Sequence, residues 1–154
     1  MDTIQHRDAQ AACSMGLHCV KATATLPATT TQTIFTVTGG NILVTLLLGE
    51  VTTVFQNSDP VLTVVVNPTA AGTNTTIAST ADTTSLEAGG FLFVEGDGSA
   101  LVKANAGSVA VTGQHEFIVA PGAIILNSGA TKSGATKWDL WYFPLEEGAK
   151  VVSG

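Results

Sequence analysis

The chain predicts an all-β fold, a β-sandwich of jelly-roll type or a small barrel, on three observations. Short runs rich in Thr, Val, Ile and Phe recur along its 154 residues; Gly, Asn and Pro turn clusters separate them; and almost no stretch has helical periodicity. The length fits one domain with a sizeable core. No repeat of roughly 20 to 50 residues stands out, which sets propellers and solenoids aside.

Residues 1–17 differ in texture from the rest and are read as an N-terminal arm, with residues 18–154 as a single β domain. The arm is richer in charge and helix-tolerant residues (Gln5, His6, Arg7, Asp8, Ala9, Gln10) and poor in β-branched ones. Ile4, Ala11 and Met15 make too thin a stripe for an amphipathic helix to hold by itself. A loose tail is the competing reading of the same stretch. From Val20 the texture alternates, Val20, Ala22, Ala24 and Leu26 against Lys21, Thr23 and Thr25, a strand that Pro27 ends.

Residues 33–56 are the centre of the sequence. Two β-forming runs flank Gly39-Gly40, and a Gly-Gly pair supplies the positive φ angles of a two-residue hairpin, so a hairpin is expected here. In the first run Phe35 and Val37 alternate with Ile34, Thr36 and Thr38. In the second, Ile42, Leu43, Val44, Leu46, Leu47 and Leu48 leave only Thr45 polar, so neither face suits water and both need a cover.

Further strands are expected over residues 61–66, 75–79, 91–95, 100–104, 108–112, 116–119 and 123–126, with Gly96-Asp97-Gly98 turning a second hairpin. In residues 137–143, KWDLWYF, Trp138, Leu140 and Tyr142 share one face while Lys137, Asp139, Trp141 and Phe143 share the other. The first face plugs the core; Trp141 and Phe143 are then left either for an interface, where aromatic anchors are enriched, or for a local cap. Pro144 ends the strand and Glu146-Glu147-Gly148 opens a tail.

Charged residues make up 12% of the chain, about half of the ~25% usual in soluble domains, which favours an assembly component whose surface neighbours cover. A net charge of −6 with six scattered Lys and Arg speaks against nucleic acid. The longest apolar run, 42–48, is too short to span a membrane, and no secretory h-region opens the chain.

No catalytic signature is present and no cofactor is expected. His6, Cys13, His18 and Cys19 hold zinc-type atoms, but adjacent His18 and Cys19 strain a shared chelate and no finger spacing occurs. Cys13 and Cys19 can close a small disulfide loop; free thiols are the expectation for a chain made in the cytoplasm. His115 beside Glu116 has no GxSxG serine to serve. Asp82 and Asp97 lack the spaced oxygens of a calcium loop, and Asp97 reads as turn chemistry. Asn74-Thr75-Thr76 matches a glycosylation acceptor by chance.

The N-terminal arm, the Thr-Val-Thr-Gly-Gly stretch, the many short strands and the closing GATKWDLWYFPLEEGAKV together resemble small virion proteins of tailed bacteriophages, in particular capsid decoration, or cement, proteins. The resemblance implies a subunit on the outer surface of an icosahedral head, often trimeric, binding the major capsid protein and copies of itself and locking neighbouring capsomers. The residues expected to make such contacts are Ile4, Arg7, Met15, Leu46, Leu48, Trp138, Trp141 and Phe143. The alternative is a phage tail- or fibre-associated receptor- or carbohydrate-binding β module, with Trp138, Asp139, Trp141 and Tyr142 facing a sugar.

Overall fold

The computed structural model describes residues 15–27, 30–56, 61–105, 107–109, 113, 115–129 and 133–154. Among the described residues there are eleven strands: β1 (Leu17–Thr25), β2 (Thr31–Thr38), β3 (Ile42–Thr53), β4 (Val61–Pro68), β5 (Thr75–Asp82), β6 (Phe91–Phe93), β7 (Val102–Ala104), β8 (Phe117–Val119), β9 (Gly122–Ser128), β10 (Ala135–Pro144) and β11 (Lys150–Ser153). They form two antiparallel sheets. The larger runs β1-β10-β3-β6-β7, with β8 also paired to β3; the smaller runs β11-β2-β9-β4-β5. Among the described residues no helix is long and apolar enough to cross a membrane.

The pairing is nested. β1 lies on β10, β2 on β9, β3 on β6 and β8, and β4 on β5. A long antiparallel ribbon rolled on itself gives this order, so the sandwich is jelly-roll-like. Rolling demands that β1, β2, β3 and β4 change sheet at each step. Gly39-Gly40 therefore turns a corner between sheets instead of closing the expected hairpin: β2 pairs with β11 and β9, and β3 with β10, β6 and β8. Gly39 has φ 80° and packs so closely on the 146–149 turn that an added Cβ would collide with the Gly148 carbonyl. The expected second hairpin does form, as β6 against β7.

Between the sheets lies a core whose largest fully buried side chains include Trp138, Phe35, Phe55, Leu47, Leu62 and Leu126. Trp138 pairs with Gly49, whose missing side chain makes room for the indole ring, and its Nε1 donates to Thr136 Oγ1 at 3.1 Å. The Tyr142 hydroxyl accepts the Val151 amide at 3.2 Å, so both buried aromatic polar atoms are satisfied.

Three features depart from simple alternation. A bulge between Thr33 and Phe35 turns both Ile34 and Phe35 into the core. Another between Lys21 and Ala24 breaks the pattern of β1, so Cys19 packs against the core while Val20 is exposed. The tail after Glu147 does not run free: it becomes β11 and extends the smaller sheet beyond β2. Of the expected strand over 108–112, residues 110–112 lie outside the described residues, as do residues 1–14 of the arm.

Some of the sheet margins are flanked, bridged or short. β11 runs beside β1, where Lys21 Nζ donates to the Gly154 carbonyl. Along β5, Ser79 bridges Ala100, the Ser79 amide donates to Ser99 O at 2.8 Å and the Leu101 amide to Ser79 O at 3.1 Å. β7 has only 3 residues.

Because Gly39 combines a left-handed backbone with a steric limit, Gly39→Ala is expected to lower unfolding free energy by about 1–3 kcal/mol. Chemical denaturation read by circular dichroism checks this; an unchanged midpoint would show that the corner does not depend on glycine.

Candidate functional site

The face of the larger sheet turned away from the core is built mainly by β10 and β3. On β10, Trp138, Leu140 and Tyr142 are buried inward, leaving Lys137, Asp139, Trp141 and Phe143 outward and half-buried. On β3, Ile42, Val44 and Leu47 are buried inward. The register slips between Trp141 and Tyr142, so Thr45 is an extra residue on β3, and Leu43, Leu46 and Leu48 all face out.

Register places these side chains in four rows across the sheet. The first is Phe143, Leu43 and Ile118, the second His18, Trp141 and Leu46. The third is Val20, Asp139, Leu48 and Phe93, and the fourth Lys137, Glu50 and Phe91. Cross-strand neighbours on one face touch, so the rows make an apolar band with its charges gathered towards one end. Ile118 is 66% exposed, whereas Phe93 is fully buried on this face.

The polar members of the band are held in place by one another. His18 stacks flat on Trp141, ring centroids 4.3 Å apart and planes 9° from parallel. Its Nε2 lies 2.8 Å from Asp139 Oδ1, and Lys137 Nζ is 3.5 Å from Asp139 Oδ2. Asp139 is thus occupied on both oxygens, which fixes the imidazole over the indole.

Of the residues expected to make contacts, Leu46, Leu48, Trp141 and Phe143 come together on this face, and Met15 joins them: its carbonyl accepts a 2.7 Å hydrogen bond from Thr45 Oγ1. Trp138 does not. It is 0% exposed in the core, where it cannot touch a partner, contrary to the expectation that it makes contacts. Ile4 and Arg7 lie outside the described residues. The sugar-facing set is not assembled either, since Trp138 and Tyr142 are buried and Asp139 is engaged by His18 and Lys137. Leu43 falls within the 42–48 run expected to need a cover on both faces, whereas Ile118, Phe91, Phe93 and His18 were not expected here. Placing those four needed knowledge of which strands pair.

Elsewhere the titratable groups have structural work. Hydrogen bonds from Thr84 hold the Asp82 carboxyl below its ordinary range, and bonds from Ser99 do the same for Asp97, whose Oδ1 accepts the Ser99 amide at 2.8 Å as turn chemistry requires. His115 Nε2 stands 3.5 Å from Asp97 Oδ2. Burial pushes the Cys19 thiol up, a Val20 backbone hydrogen bond partly opposing it. Among the described residues no three His, Cys, Asp or Glu side chains gather where they would hold a metal ion. Neither of two open grooves, one near Phe55 and Glu87 and one near Thr38 and Pro121, is lined by a histidine or cysteine.

Fold and face together define a two-sheet antiparallel β protein with a broad apolar outer surface. No family model, curated protein or solved structure matches the chain.

The two tryptophans are expected to separate sharply. Trp138→Ala should cost about 3–5 kcal/mol of stability and Trp141→Ala less than about 1.5 kcal/mol, because only the first leaves a core cavity. Urea titration of both variants checks this, and equal losses would mean the outer face is part of the folding core.

Proposed function

We propose that the chain is a non-enzymatic virion structural protein, a decoration or cement subunit. In this reading it binds the outer surface of an icosahedral phage head as a trimer and strengthens contacts between capsomers. The observation that supports it most is the outer face of the larger sheet, where Leu43, Leu46, Leu48, Trp141, Phe143 and Ile118 form an apolar band. Such patches on a folded subunit mark protein contacts.

The size of the face sets the scale of a subunit contact. β1, β10 and β3 at ~4.8 Å spacing along the 10 residues of β10 at ~3.4 Å each outline about 490 Å², with the 3-residue strands β8 and β6 adding a broken fourth column, against about 600 Å² per partner at the lower bound for specific interfaces. One contact of that size is modest. Three copies bound to a shell hold far more firmly, because the second and third contacts form at high effective concentration. Jelly-roll sandwiches also occur among viral capsid domains, in keeping with this role.

Light scattering of the intact chain at micromolar concentration is expected to give about 47 kDa, three times 15.7 kDa. Leu46→Glu, which places a charge in the band, should weaken association at least about a hundredfold while leaving the circular dichroism spectrum unchanged. A single 15.7 kDa species in the intact chain would sink self-association. Shell binding is checked separately by imaging the native particle with this chain labelled: signal over the head surface supports the reading, and signal confined to the tail or absent from the particle removes it.

A further inference from the structure

β1 is the edge strand of the larger sheet, and little burial holds it there. None of its 9 residues is buried, and its ladder with β10 breaks between Lys21 and Ala24, so residues 17–21 form a short ladder of their own. Towards the smaller sheet, Lys21 Nζ donates to the Gly154 carbonyl and Gln32 Nε2 to the Thr25 carbonyl at 3.3 Å. A strand with so few buried contacts opens locally at low cost, so each side chain that ties it to β10 counts.

His18 is such a tie. It pairs with Trp141 and stacks on the indole, centroids 4.3 Å apart and planes 9° from parallel, while Nε2 reaches diagonally to Asp139 Oδ1 at 2.8 Å. A carboxylate only accepts, so Nε2 carries a hydrogen and donates it. The other ring nitrogen decides the charge. With Nδ1 bare, the ring is neutral and the contact is a hydrogen bond to an anion. With Nδ1 protonated, the ring is a cation lying flat on an indole and against a carboxylate, so an ion pair and a cation–π contact are added without any atom moving. The His18 side chain is 42% exposed, which lets water deliver and remove the proton.

The surrounding charges leave this contact in force. Among the described residues, β10 presents Asp139 and Lys137 to His18; Lys137 lies 3.5 Å from the second Asp139 oxygen and opposite Glu50 of β3, which offsets it. On β1 itself Lys21 is turned to Gly154 and Cys19 packs against the core. β11, which flanks β1, carries Lys150 in register with Thr38 on the smaller sheet.

We infer that His18, Asp139 and Trp141 form a proton-operated latch on the edge strand: acid closes it, and loss of the imidazole proton loosens residues 17–21 from β10. The sign follows from the geometry. In the opened strand His18 meets neither the carboxylate nor the indole, so the closed strand gains from the charged ring and loses that gain as pH rises through the histidine range, roughly pH 5 to 8. Opening bares the backbone of β10, 10 residues long, beside Trp141, an edge that another strand can pair with.

The test is amide hydrogen exchange of the full-length chain at about pH 5.5 and about pH 8, read by mass spectrometry and corrected for the intrinsic pH dependence of exchange. Cys19, whose thiol is pushed up by burial, keeps its proton over this range. Protection of residues 17–21, measured relative to β3, is expected to fall at least about threefold at the higher pH. The fall should vanish in His18→Gln, whose side-chain amide can donate to Asp139 without taking a charge, and shrink at least by about half in Asp139→Asn. Equal protection at both pH values in the unaltered chain overturns the inference. So does a fall that persists in His18→Gln, where His6 and His115 are intact, or one of full size in Asp139→Asn.

Discussion

The ladder between β3 and β10 is the constraint on which the molecule depends. These are its two longest strands, 12 and 10 residues, and they are paired along ten positions. On the inner side the ladder sets Trp138 over Gly49, Leu140 beside Leu47 and Tyr142 beside Val44, and it supplies Trp138, Leu140, Ile42 and Leu47 to the largest fully buried side chains. On the outer side the same pairing aligns Phe143 with Leu43 and Trp141 with Leu46. A single extra residue, Thr45, reconciles the two sides. Without it, strict alternation would have sent either Leu46 or Leu47 to the wrong face.

Much of this was readable from local chemistry, and the failures share one cause. Strand positions followed from turn residues, and the inward turn of Leu140 and Tyr142 followed from period two in KWDLWYF. The apolar character of 42–48 on both sides was equally plain, since no polar residue but Thr45 interrupts it. What local chemistry does not encode is the partner. The positive φ of Gly39 serves a hairpin and an inter-sheet corner equally well, and only the distant β11, β9 and β10 decide between them. The tail KVVS is too short to display alternation, so its pairing with β2 had no local signal. Ile118 and His18 joined the outer face through register with β3 and β10, 75 and 123 positions away in the pairs Leu43↔Ile118 and His18↔Trp141. The bulge beside Ile34 likewise answers to the needs of β9 and leaves no mark on its own residues.

Charge is distributed in a way that bears on both sheets. β2, β4 and β9, the three inner strands of the smaller sheet, contain no Asp, Glu, Lys or Arg at all. In the larger sheet, Lys137, Asp139 and Glu50 sit towards one end of the rows, and Asp139 is already neutralised by its neighbours. The low charge of the composition is thus concentrated in the absence of ions from the middle of broad sheet surfaces, while Asp82, Asp97, Glu146 and Glu147 fall at strand ends and turns. Uncharged sheet surfaces can be covered without the penalty of desolvating an ion, which is several kcal/mol per unpaired charge.

The margins of the two sheets are managed in different ways. Exposed strand edges invite another chain to continue the hydrogen-bond ladder, the route by which β proteins nucleate amyloid. Here β5 is bridged to the 99–101 segment, β11 and β1 flank one another, and β7 is too short to act as a template. The described margins of the smaller sheet at β5 and of the larger sheet at β7 therefore offer little ladder for a further chain to continue.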